Sequence, residues 1–113
     1  MGAGCARVRS AVLRGVEALE VSVEVSASAG IPALDIVGMP DSAVLEARSR
    51  VRCALRSSGF EVPRLHVTIN LQPSEMRKTG SGLDLAMAAG ILLASGQLPL
   101  RCCEGSLLVG ELA

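Results

Sequence analysis

The sequence predicts a two-layer α/β (α+β) sandwich, a mixed sheet with helices on one face, in the order β-β-β-α-β-α-β. Three observations carry that reading. From Glu20 to Ser28, Val21, Val23, Val25 and Ala27 alternate with Glu20, Ser22, Glu24, Ser26 and Ser28. A period of two gives a strand one buried and one wet face. Between Asp41 and Ser57, Val44, Ala47, Val51, Ala54 and Leu55 fall at helical spacing, which makes an apolar stripe. From Leu85 to Ala94 every residue is apolar or Gly. A helix without a polar face is either buried in a domain or spans a membrane. The uncharged run to Leu100 falls short of the about 20 residues a span needs, and Gly90, Ser95, Gln97 and Pro99 interrupt it. It reads as the central buried helix.

The elements follow in order. Cys5 to Leu13 reads as the first strand and Gly15 as a turn. Glu20 to Ser28 is the second strand, closed by Gly30-Ile31-Pro32. Leu34 to Val37 is a short third strand, ended by Gly38-Met39-Pro40. Asp41 or Ser42 caps a helix running to about Ser57, with Glu46 placed to pair with Arg50, and Gly59 ends it. Arg64 to Leu71 is the fourth strand; Leu65, Val67, Ile69 and Leu71 face the core, while His66, Thr68, Asn70 and Gln72 form a polar row that reads as a wet sheet face. After the central helix, Gly96 to Gly105 connects to a last short strand, Ser106 to Leu112. Because that strand ends without a turn or polar tail, the chain reads as a fragment of a longer protein.

The 113 residues suffice for one modest domain, 1–113. Half are hydrophobic and 1% aromatic, so the core is aliphatic and offers no aromatic stacking platform for single-stranded nucleic acid. Net charge is zero, which implies no global attraction to nucleic acid or membrane. The charge is nonetheless uneven: Arg48, Arg50, Arg52, Arg56, Arg64, Arg77 and Lys78 face only Glu61 and Glu75 within residues 48–78. Cys5, Cys53, Cys102 and Cys103 contain no C-x-x-C, and His66 has no ligand-like partner, so no metal site is expected. Arg7, Arg9 and Arg14 break up any signal-peptide core. Reduced thiols, buried as small hydrophobes, in a cytoplasmic protein are the expectation.

Two features carry the functional question. Gly80, Ser81 and Gly82 form a loop between the basic pair Arg77-Lys78 and the central helix. Such a loop can cradle an anion, but no Walker A pattern is present, and a plain strand-to-helix connection is the favoured reading. Asp84 and Asp41 read as helix caps. Arg48, Arg52 and Arg56 fall four apart on one helix flank; with Arg64, Arg77 and Lys78 they form a candidate DNA-contacting set, against the plainer reading of a solvated face.

GIPALDIVGMPDSAVLEARSRVR (Gly30–Arg52), VTINLQP (Val67–Pro73), LDLAMAAGILLASG and the terminal GEL together resemble the N-terminal signature of the ComM/YifB family of magnesium-chelatase-like AAA+ ATPases, over nearly the whole chain and in order. The resemblance implies a Lon-protease-domain-like fold with a left-handed βαβ crossover. It also implies a downstream AAA+ module of the same chain that binds ATP and Mg, a homo-hexameric ring, DNA branch migration in natural transformation, and no membrane partner. No cofactor is expected within these residues. Lon proteases carry a Lys-acid-Gly-Pro-Ser-Ala-Gly-like motif whose Ser is the nucleophile. Lys78-Thr79-Gly80-Ser81-Gly82 aligns on its Lys and first Gly, which places Gly82 at the nucleophile position and Ser81 one residue early. The general-base Lys would fall beyond Ala113. The resemblance therefore implies a non-catalytic accessory domain, with assembly or DNA engagement as its role. The alternatives are a Lon-like serine peptidase with a displaced Ser81, and a stand-alone nucleic-acid-binding module of the ribosomal type.

Overall fold

The computed structural model describes residues 4–113. Two long strands, β1 (Gly4–Arg14) and β2 (Glu17–Ser28), form an antiparallel hairpin in the register Val8↔Val23 and Ser10↔Val21. Gly15, at φ 63°, supplies the left-handed residue that its tight turn requires. Strand β3 (Ala33–Val37) leads into two helices, α1 (Ser42–Leu45) and α2 (Ala47–Ser57), and then β4 (His66–Gln72) and α3 (Asp84–Ala94). The sheet order is β1-β2-β4-β3, with β4 antiparallel to β2 and parallel to β3. The mixed sheet with helices over one face is the predicted α/β architecture.

Burial follows the alternation. Val8, Val21, Val23, Val25, Ile69 and Leu71 are buried beneath the helices. The opposite face carries His66, Thr68, Asn70 and Gln72, together with the ion pairs Arg7–Glu24 and Arg9–Glu20. It is the polar face the sequence reading expects. Helix α3 is buried throughout from Ala86 to Ala94 and packs on β1 and β2. Gly90 permits this approach: a Cβ there would sit 2.5 Å from Val25 Cγ2.

The structure corrects three expectations. The helix from Ser42 to Ser57 is interrupted at Glu46. Arginine side chains compete for carbonyls at the join, since Arg50 Nη2 donates to Ala43 O and Arg48 Nε to Leu45 O. The last strand does not form. Leu107 makes one parallel bridge to Arg9 at the free edge of β1, and the chain then leaves the sheet to bond the loop before α3, with Gly110 N donating to Gly82 O. Three of the cysteines are not core residues: Cys5, Cys53 and Cys102 are exposed and Cys103 is partly buried, all four as free thiols. Cys5 shares its side of β1 with Arg7 and Arg9, the wet side.

Both long helices end on a glycine-centred motif. Gly59 (φ 83°) donates to Arg56 O while Phe60 N donates to Leu55 O; Gly96 (φ 79°) donates to Leu93 O while Gln97 N donates to Leu92 O. Each pair satisfies carbonyls that a helix end leaves free.

Candidate functional site

The central loop is held from both sides. The turn at Gly38 (φ 105°) and Met39 (φ 58°) presents the Gly38 carbonyl to Lys78, whose Nζ donates to it at 2.7 Å and also to Pro73 O. The Lys78 backbone pairs with the same turn, its N–H on Met39 O and its carbonyl under Asp41 N. Lys78 is fully buried, and that burial lowers its ammonium pKa, with Glu75 acting weakly the other way. The Lys78 amine is thus sealed in the structure and is removed from the DNA-contacting set.

The three loop residues that follow do not open into an anion cradle. Gly80 N–H points to Asp41 Oδ2 at 3.4 Å, while Asp41 Oδ1 caps α1 through Val44 N–H at 2.8 Å. Asp41 is therefore the cap that the sequence predicts. Ser81 Oγ donates to Glu111 Oε1 at 2.5 Å, and Gly82 O accepts from Gly110. The carboxylates of Asp41 and Glu111 stand beside the turn and oppose an anion there.

Asp84 has a different role from the one expected. The N-cap of α3 is Leu83, and the Asp84 side chain caps nothing. Its carboxylate is wholly buried and accepts a two-pronged contact from Arg50, Nε at 2.6 Å and Nη2 at 3.0 Å. It also accepts the Leu112 N–H at 3.1 Å. The contact raises the Arg50 pKa, chiefly through the hydrogen bond to Asp84. Three segments are pinned by one carboxylate: α2 by Arg50, α3 by Asp84 itself, and the tail by Leu112. Sequence spacing holds no sign of this pair, whose members lie 34 residues apart.

The arginines divide. Arg52, Arg56 and Arg64 converge on a cleft of about 810 Å³ between α2 and the starts of β3 and β4. Among the described residues none of the three has a carboxylate or hydrogen-bond partner for its side chain. Arg48 sits one turn before Arg52 and is tied to Leu45 O. Arg77 is exposed near Arg14, which donates to its carbonyl. The cleft also takes in Phe60, the acidic Glu61, and the apolar residues Leu34, Leu55, Val67 and Ile91. Sequence reasoning missed Phe60, because a single aromatic at a helix end carries no pattern. No cluster of metal-ligating side chains occurs among the described residues, and none of their helices is long and apolar enough to cross a membrane.

Comparison with known proteins places these residues in a family. Residues 23–113 match the family described as subunit ChlI of Mg-chelatase. The chain is 46% identical over 99 residues to the protein YifB of Salmonella typhimurium, covering 88% of this chain and 20% of that one. YifB of Escherichia coli matches to the same extent. The competence protein ComM of Haemophilus influenzae is 42% identical over 106 residues, 94% of this chain and 21% of its own. The chain thus spans about a fifth of the length of these relatives.

Proposed function

Since the chain belongs to the ChlI-like family of Mg-chelatase-related proteins, with YifB and ComM among its relatives, we propose that it is an accessory domain of a ComM-like AAA+ ATPase. It serves DNA processing in natural transformation by engaging DNA and contributing to ring assembly. ATP and Mg belong to a module elsewhere in the protein, and these residues perform no chemistry of their own.

The gathering of Arg52, Arg56 and Arg64 on one cleft without a carboxylate partner carries the DNA reading. Three guanidinium groups without an ion-pair partner, against the one carboxylate of Glu61 in the same lining, suit phosphates. The loop supports the absence of catalysis. The Ser81 hydroxyl donates to a carboxylate, and Lys78, the nearest amine in sequence, is turned away onto two backbone carbonyls. A Ser–Lys dyad needs the amine within about 3 Å of the hydroxyl, and this amine is held elsewhere.

Replacing Arg52, Arg56 and Arg64 together by Ala in the complete protein is expected to weaken DNA binding while leaving DNA-independent ATP hydrolysis intact. Unchanged affinity removes the DNA reading. Covalent labelling of Ser81 by a fluorophosphonate probe removes the non-catalytic one.

A further inference from the structure

We propose that the cleft between α2 and the β3–β4 edge is a single-strand site. It seats one unstacked base against Phe60 and holds the flanking phosphodiesters on Arg52, Arg56 and Arg64. This rests on the DNA-engagement reading and specifies the strand form and the contact residues.

Phe60 is the sole aromatic residue of the chain, and the fold leaves it 37% exposed at the cleft wall. Its backbone is fixed by the helix-end motif, with Phe60 N bonded to Leu55 O at 2.9 Å. The ring is therefore presented on a rigid support. Buried Leu34, Leu55, Val67 and Ile91 form an apolar floor. A volume of about 810 Å³ lies within the range of roughly 300–1,000 Å³ found for pockets that enclose small organic groups.

The charges fit a strand that crosses the cleft. Arg52 and Arg56 rise from α2, and Arg64 stands on the approach to β4. Glu61 also lines the cleft, so three guanidinium groups stand against one carboxylate, a modest positive balance that suits singly charged phosphodiesters better than a terminal polyphosphate. The helix C-terminus beside the cleft would repel an anion, but Gly59 and Phe60 N–H groups already occupy the carbonyls of Arg56 and Leu55. A duplex keeps its bases stacked and paired, so it offers no free base face to Phe60. Base stacking on an aromatic side chain tolerates any sequence, so the site selects strand form over sequence.

The test uses the complete protein and an iodouracil-substituted oligodeoxythymidylate, which photocrosslinks to aromatic residues in contact with the base. The expected adduct maps to Phe60 and is lost in Phe60→Leu. The same variant weakens single-strand binding at least about fivefold, with little effect on duplex. Arg64→Ala weakens single-strand binding and lowers its salt dependence. The single-strand site is overturned, with DNA engagement intact, if Arg52→Ala/Arg56→Ala/Arg64→Ala weakens duplex and single strand equally while Phe60→Leu is silent and Phe60 of the wild type takes no label. It is also overturned if free thymidine monophosphate displaces the oligomer at equal nucleotide concentration. If the triple variant leaves binding to both strand forms unchanged, this inference and the DNA reading fall together.

Discussion

Asp84 shows how one side chain can tie a small domain together. A carboxylate with no solvent exposure faces Arg50, whose side chain is 23% exposed, and removing either partner strands a charge in the interior. Asp84→Leu or Arg50→Met alone is expected to cost about 3 kcal/mol. The double variant should be less destabilised than the sum of the two. Denaturant unfolding of all four proteins measures that coupling, and additive losses contradict it. The same carboxylate was legible only in part. Its position in the first helical turn is plain in the sequence, but its partner is not. Spacing rules reach three or four residues, and Arg50 arrives through the fold. Asp41, by contrast, caps a helix three residues away and was readable. Lys78 makes a pH prediction. Burial lowers its ammonium pKa, so between that value and the ordinary lysine range the unfolded chain holds a proton that the folded one lacks. Stability contributed by this group therefore rises with pH across that window, by at most about 1.4 kcal/mol per pH unit, and is flat below it. Wild type minus Lys78→Met, followed by unfolding at alkaline pH, should show this rise. The opposing effect of Cys103, whose thiol pKa burial raises, is common to both proteins and cancels.

At the scale of elements, the central helix depends on the absence of a side chain. Gly90 lies against Val25 with room for a hydrogen only. Gly90→Ala gains about 1 kcal/mol of helix propensity, yet must displace a stiff β-branched side chain at a cost of about 1–3 kcal/mol. Net destabilisation is expected, with recovery when Val25→Ala is added; a simple stabilisation by Gly90→Ala contradicts the packing. The second and fourth strands and the buried helix were legible because their periodicity is local and strong. The strand expected at Ser106–Leu112 was not formed, because an apolar run reports burial and not its partner. Here the partners are Arg9, Gly82, Leu85 and Asp84 in turn, so no ladder can repeat.

For the whole molecule, the two features singled out in the sequence separate. The glycine loop is tied to Asp41 and Glu111 and lies beside the turn at Gly38, whereas the arginine flank opens onto a cleft where three guanidinium groups outnumber the one carboxylate, Glu61. The sequence shows the flank at helical spacing, but Arg64 joins it only through the return of β4 beside β3. The proposed role for this fifth of the relatives' length is contact rather than chemistry. The decisive measurement is DNA affinity of the complete protein as a function of salt. Each lost phosphate contact should reduce the slope of log K against log salt by about 0.7 for single strands and 0.9 for duplex. With Arg52, Arg56 and Arg64 replaced by Ala, the expected single-strand slope is shallower by about two. An unchanged slope in the folded triple variant contradicts a phosphate-binding cleft.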